Sequence, residues 1–432
     1  MTTAAPSAES RILELYDKFP HSAPFRRVNE GGATRLSELG FPKKKHEMFT
    51  FVDFRGFVAQ DFQYVKGPER PPSKQEIKHL VYAGCEKSLV VMVDGEFSAA
   101  LSDLSAHGGA LTAKALEAND VRLSEIQAEN DVFACVNALF LTGGVKISTA
   151  GGRRLDVPLQ ILNLSTGLKP AGGGVPAYVP RVDITTSPGS EATVFFKSCG
   201  LAPAYLVDGI ISADLGEGSA LNLTMIQADS PESYQFFKTR GRQARDSKLN
   251  VVCAVGGGKF ARRHFDVRLE GEAATLSLLG LAILEGAEQA HNYVRVTHDA
   301  QRCVSFEHYK NILNGRAVSS VDTTVTVRPG AQFVTSRQLI NNLMFSPTAK
   351  ADSKPRLMIH ADDVKCNHGA TVGRIDEDQV FYLMSRGLSE GEAKGLIIEG
   401  FAREILNAVP AGPAARDAAA LLLGRLGEGK VG

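Results

Sequence analysis

Asp362-Asp363-Val364-Lys365-Cys366-Asn367-His368-Gly369-Ala370-Thr371-Val372-Gly373 is the stretch on which the fold turns. Two adjacent carboxylates, a lysine, a thiol and an imidazole fall within seven residues. Before it, Leu357-Met358-Ile359-His360 reads as a short strand. Leu357 and Ile359 share one face of that strand, because side chains alternate. After it the apolar spacing becomes helical and stays so nearly to the end. The stretch marks where a β-rich body gives way to a helical tail.

Upstream, from about residue 143, short alternating segments recur between Gly, Asn, Asp and Pro. Leu155 to Ile161 alternates, and Phe265-Asp266-Val267-Arg268-Leu269-Glu270 sets apolar strictly against charged. Tyr293 to His298 and Val325 to Val327 behave alike. Period two means half-buried strands. No fixed-period repeat is visible, so this pattern leaves a sandwich, a barrel and a parallel β-helix open. Nearer the start, Leu89 to Val93 followed by Asp94-Gly95 is a buried strand with a turn signal.

Helices are predicted at both ends. Ile12, Leu13, Leu15, Tyr16 and Phe19 give one over 9–19, stopped by Pro20. Residues 111–142 look mostly helical, and Ser230-Pro231-Glu232 predicts a helical insertion reaching about Arg245. Glu47 to Phe57 carries four phenylalanines that would cover an end of the core. Lys43-Lys44-Lys45-His46 reads as a solvated basic face and Pro68 to Lys74 as a linker. In the tail, Asp376 to Arg386 is a helix with Gly387 at its C′ position. Ser389 and Glu392 form a capping box for the next helix, which Pro410 to Pro413 breaks. Asp417 to Leu426 is the last.

The chain has 432 residues, 44% of them hydrophobic, enough for a large core and two or three domains. Lys plus Arg and Asp plus Glu both number 48, which gives no electrostatic argument for nucleic acid or an anionic membrane. Met1 to Ser10 lacks a basic and an apolar signal region, and no apolar run is long enough to span a bilayer. The expected compartment is the cytoplasm. Six cysteines without a C-x-x-C are expected to be free, mostly buried thiols.

Gly256-Gly257-Gly258-Lys259-Phe260 is not a P-loop, because Phe260 stands where the magnesium-binding hydroxyl belongs and Cys253 where the first glycine belongs. Asp362 and Asp363 invite a glycosidic reading. Adjacent strand residues face opposite ways, which favours a turn cap and an ion pair instead. Cys366 and His368, at i and i+2, share a face and can both ligate a metal such as iron. Lys365 would lower the thiol pKa. Two ligands do not close a site, so any metal needs others from elsewhere or from another chain.

The run Asp362 to Gly373 closely resembles the signature of the SufD branch of the SufB/SufD family, subunits of the SufBCD iron–sulfur cluster assembly complex. The likeness continues through Phe381-Tyr382-Leu383-Met384-Ser385-Arg386-Gly387, Glu399-Gly400-Phe401-Ala402, Asn341-Asn342-Leu343 and Lys354-Pro355. Weaker echoes stand at Asn137-Ala138-Leu139-Phe140 and Gly40-Phe41-Pro42. Glu47-Met48-Phe49 departs from it where the family has tryptophan.

The resemblance implies a mainly β protein. A right-handed parallel β-helix over 143–372 would stand between an N-terminal helical and mixed domain over 1–142 and a C-terminal helical domain over 373–432. It implies a SufB-like paralogue paired at the β-helix edge around Leu357, Ile359 and Lys365, and a SufC-like ABC ATPase on helices carrying Phe381, Tyr382, Arg386 and Phe401. A nascent cluster would form transiently at the SufB–SufD interface beside His368 and Cys366. The resemblance admits a flavin in the assembled complex, expects no cofactor on the isolated chain, and makes the chain a non-catalytic scaffold; the exposed β edge leaves a homodimer of the isolated chain open. The competing reading is a β-helix enzyme on polysaccharide using Asp362 or Asp363. Absent tryptophan and 7% aromatic residues count against it.

Overall fold

Residues 7–42, 46–67, 71–168, 170, 172–227 and 229–428 are described by the structure, a computed structural model. The basic run at 43–45 and the linker residues 68–70 lie outside the described residues.

The alternating segments wind into a parallel β-helix of about seven turns. Each turn gives one strand to each of two sheets. Sheet A runs from Arg181–Thr186 through Leu206–Leu215, Tyr234–Gln243, Phe260–Leu269, Gln289–His298 and Val318–Val327 to Lys350–Ile359. Sheet B runs from Glu191–Gly200 through Ala220–Gln227, Lys248–Val255, Thr275–Leu284, Val304–Leu313 and Thr335–Met344 to Lys365–Arg374. Like residues stack in register along the lumen: Leu221 on Leu249 on Leu276, and Val267 on Val296 on Val325. These side chains are at most 1% exposed. Burying each contributes about 1.5–3 kcal/mol.

The coils differ in length, which hides the repeat from the sequence. Tyr234 pairs with Phe260, 26 residues on, whereas Val318 pairs with Lys350, 32 residues on. One corner nevertheless repeats in every turn. Gly189, Gly218, Asp246, Ala273, Arg302 and Phe333 all have φ between 56° and 65°. Each donates its N–H to a carbonyl of the next coil: Gly218 to Arg245, Asp246 to Glu272, Ala273 to Gln301, Arg302 to Gln332 and Phe333 to Asp363. The left-handed conformation costs a side-chain-bearing residue about 1–2 kcal/mol. The inter-coil bond holds the corner there whatever residue occupies it.

Three expectations are corrected. Tyr234–Gln243 is a strand, not the helix that Ser230-Pro231 predicts. Ser230 opens only a turn, its carbonyl accepting from the Ser233 N–H at 3.0 Å. Ladder bonds to a strand on either side then outweigh local propensity. Residues 111–142 are mixed: Leu111–Ala115 pairs antiparallel with Val145–Thr149, and the α-helices are Leu123–Gln127 and Val132–Phe140. The Glu47–Phe57 phenylalanines cover a sheet face rather than an end. Phe49, Phe54 and Phe57 pack around Phe133, which stacks on Phe236 of sheet A at 3.9 Å.

Helices flank the solenoid on both sides. Ala8–Lys18, Arg26–Leu39 and Val132–Phe140 lie over the outer face of sheet A. Glu390–Leu406 and Pro413–Glu428 lie on sheet B, burying Ile398, Ile405, Ala418 and Leu422 against Leu281, Ile283 and Ile312. The Ser389–Glu392 capping box is present, and the last helix starts earlier than its apolar spacing predicts, at Pro413. Proline suits a first helical turn because that N–H has no helical partner.

Candidate functional site

Lys350–Ile359 and Lys365–Arg374 end the two sheets. Each pairs along one edge only, with Val318–Val327 and Thr335–Met344 respectively. The other edges carry unpaired backbone groups among the described residues, a ready template for another strand.

Register decides which side chains face the lumen here. Ser336 and Gln338 are 0% exposed and pair with Cys366 and His368. Thr335 and Arg337, between them, are exposed and pair with Lys365 and Asn367. Cys366 and His368 therefore share the inward face, as the i, i+2 spacing predicts, and Lys365 lies on the outer one. Across the lumen, Val325 and Val327 continue into Leu357 and Ile359. With no coil beyond, these inward positions are open. Ile359 is 41% and Val372 59% exposed, His368 is exposed, and Cys366 is half-buried against the core.

Lys365 does not lower the Cys366 thiol. It sits on the opposite face, and burial pushes the thiol up, partly offset by the Ser336 backbone. The other five cysteines are buried free thiols. Among the described residues, no three His, Cys, Asp or Glu side chains group to hold a metal.

Beneath His368 the same column holds Gln338 and then Glu307. Gln338 Nε2 donates to Thr323 Oγ1 at 2.9 Å and to Glu307 Oε1 at 3.5 Å, while Thr323 Oγ1 donates to Glu307 Oε2. Burial lifts the Glu307 carboxyl to about 7. Sequence reasoning missed this polar column. Its signal was the row Ser305, Glu307, Tyr309 and Asn311. Alternating polar residues read as a solvent face until the register turns them inward.

Asp362 and Asp363 are exposed in the turn between the terminal strands, not on a strand. The Asp363 N–H donates to Gln332 Oε1 at 2.9 Å and its carbonyl accepts from the Phe333 N–H.

A second exposed surface lies on the tail. In Glu377–Ser385, Phe381 is 72% and Tyr382 57% exposed, with the Arg386 guanidinium 5.3 Å from the Tyr382 ring. Leu396 of the next helix is also exposed. Phe401 does not join them. It is half-buried under Lys310 Nζ, 4.0 Å from the ring centroid, and anchors its helix to sheet B.

Beside sheet A, many charged groups pair with one another. A cleft of about 340 Å³ beside sheet A is lined by both signs. Lys238 pairs with Glu129 at 2.6 Å, Arg122 with Asp214 at 2.7 Å and Arg240 with Glu125 at 3.3 Å. No helix among the described residues is long and apolar enough to cross a membrane.

Residues 170–401 match the family model described as SUF system FeS cluster assembly, SufBD core domain. The chain is 28% identical to the iron–sulfur cluster assembly protein SufD of Escherichia coli, over 87% of each chain. It is 27% identical to an iron–sulfur cluster assembly SufBD family protein of Synechocystis, over 88% of this chain and 86% of that one. It is 25% identical to protein ABCI7, chloroplastic, of Arabidopsis thaliana, over 93% and 86%. The match spans more than half the chain and covers both terminal strands, so this chain belongs to the SufBD family of SUF-system iron–sulfur cluster assembly proteins.

Proposed function

We propose that the chain is a non-catalytic scaffold subunit that pairs with a SufB-like β-helix paralogue, binds a SufC-like ATPase, and shares in holding a nascent iron–sulfur cluster. One observation carries this reading: among the described residues the β-helix stops with both terminal strands unpaired on one edge and with its lumen residues open. A second β-helix placed end to end would continue both ladders and bury Leu357, Ile359 and Val372. Cys366 and His368 would then lie inside the joint, and the ligands they lack would come from the partner. Lys365 would lie at its rim.

The cluster in this reading is cargo. Cys366 supplies a soft ligand once deprotonated and His368 a borderline one. The exposed Phe381, Tyr382 and Arg386 fit an ATPase docked on the tail, with half-buried Phe401 holding the helix behind them. We assign the chain to the cytoplasm; a tagged copy localised elsewhere in its host would remove that part.

The test is co-purification of a tagged full chain from its host, read by native mass, with a His368→Ala comparison. The expected result is recovery with an ABC-type ATPase and a larger β-helix paralogue, with His368→Ala leaving the complex intact and stopping cluster assembly. Recovery alone while both partners are expressed would overturn the scaffold reading. Unchanged assembly by His368→Ala would overturn the role of His368.

A further inference from the structure

Gln338 is fully buried, and its amide is oriented from below. Its Nε2 faces the acceptors, Glu307 Oε1 and Thr323 Oγ1, whose own hydroxyl is given to Glu307. With Glu307 ionised, turning the amide over would set Oε1 against its carboxylate and lose both bonds. This orientation leaves Oε1 without a hydrogen-bond partner among the described residues. A buried polar atom left so costs about 1–3 kcal/mol. Several buried polar atoms lack partners here, and this one lies in the column directly beneath the open end.

The next position in the column is His368, one strand spacing of about 4.8 Å away. A neutral imidazole carries one N–H donor and one lone pair. Covering the open end would strip water from the His368 ring beside a carbonyl that is already buried, so carbonyl and ring are left to satisfy each other. A metal-binding histidine commonly gives its second ring nitrogen to such an acceptor, which sets the tautomer.

Resting on the reading of His368 as an interface group, we propose that Gln338 is its positioning residue: Gln338 Oε1 accepts one ring N–H and leaves the other ring nitrogen's lone pair for ferrous iron. Thr323 and Glu307 hold the amide in that orientation. Gln338 itself touches no cargo.

The test is ring-nitrogen NMR at pH 8 on the assembled complex in which only this chain is labelled with ¹⁵N-histidine, with the His368 signals identified by their loss in His368→Ala. Cluster yield is measured in parallel on the assembled complex. Wild type is expected to show one dominant tautomer. Gln338→Leu should equalise the two tautomers and lower yield on the order of tenfold with the complex intact. Gln338→Met serves as the apolar variant if leucine does not fold. Ring signals identical in wild type and the apolar variant would overturn the proposal. Undiminished yield in His368→Ala would remove the interface reading itself; His368-dependent yield with an unaltered tautomer would remove only the part of Gln338.

Discussion

His264 and His368 stand on strands of the same solenoid and meet opposite surroundings. His264 is 1% exposed on the outer face of sheet A, under the N-terminal helices. Its Nδ1 lies 2.6 Å from Asp131, which also takes Arg262 at 2.7 Å and caps the Val132–Phe140 helix through the Phe133 N–H. Burial pushes the His264 pKa down to about 4, and Arg262 and His264 hold Asp131 well below the usual carboxylate range. His368 is exposed, and the buried amide next to it has a carbonyl without a partner. The first network is paired and enclosed under helices, although His264 Nε2 and Arg262 Nη2 also lack partners among the described residues. A polar column that stops one group short of completion is where a partner is expected.

That contrast breaks most readily at Asp131. Asp131→Ala strands the buried Arg262 cation and removes a helix cap, so unfolding in urea should show a loss of about 3–5 kcal/mol. A loss as small as that of a surface substitution would mean the inner network is not architecture.

Glu307→Gln should act nearly as strongly, but only at higher pH. The folded carboxyl titrates near 7, against an ordinary value of 4.5. Its stabilising contribution is therefore complete below about pH 4.5 and is lost as pH rises toward 7. Glutamine has no proton to lose. The variant should gain on wild type between pH 5 and pH 8 by on the order of 3 kcal/mol. A stability difference that stays flat over that range would contradict the buried, protonated carboxyl.

The repeated corner tests the coil stack at smaller scale. Ala273→Gly relieves a side chain held at φ 58° and should stabilise the protein by about 1 kcal/mol, read as a raised urea midpoint. Destabilisation would show that the corner does not hold that conformation in solution. Last comes His368→Ala, which should shift stability by less than about 0.5 kcal/mol while cluster assembly is lost. Substantial unfolding would move His368 to the architectural side of the comparison.

Local chemistry was legible in the sequence wherever the deciding contacts lie within a few residues. The Ser389–Glu392 capping box, the helix at Ala8–Lys18, the alternating strands and the shared face of Cys366 and His368 are all of this kind. The resemblance around Asp362 to Gly373 added the β-helix and the family. Tertiary structure decided the rest, because a parallel coil is held by residues 26 to 32 positions away and no short window records its register. Register made Tyr234–Gln243 a strand and turned Glu307 and Gln338 inward. The repeating corner is invisible in sequence because inter-coil bonds hold Gly, Asp, Ala, Arg and Phe alike in one backbone conformation. The open end follows from where the stack stops, and with it the exposure of His368 above a carbonyl still lacking its donor.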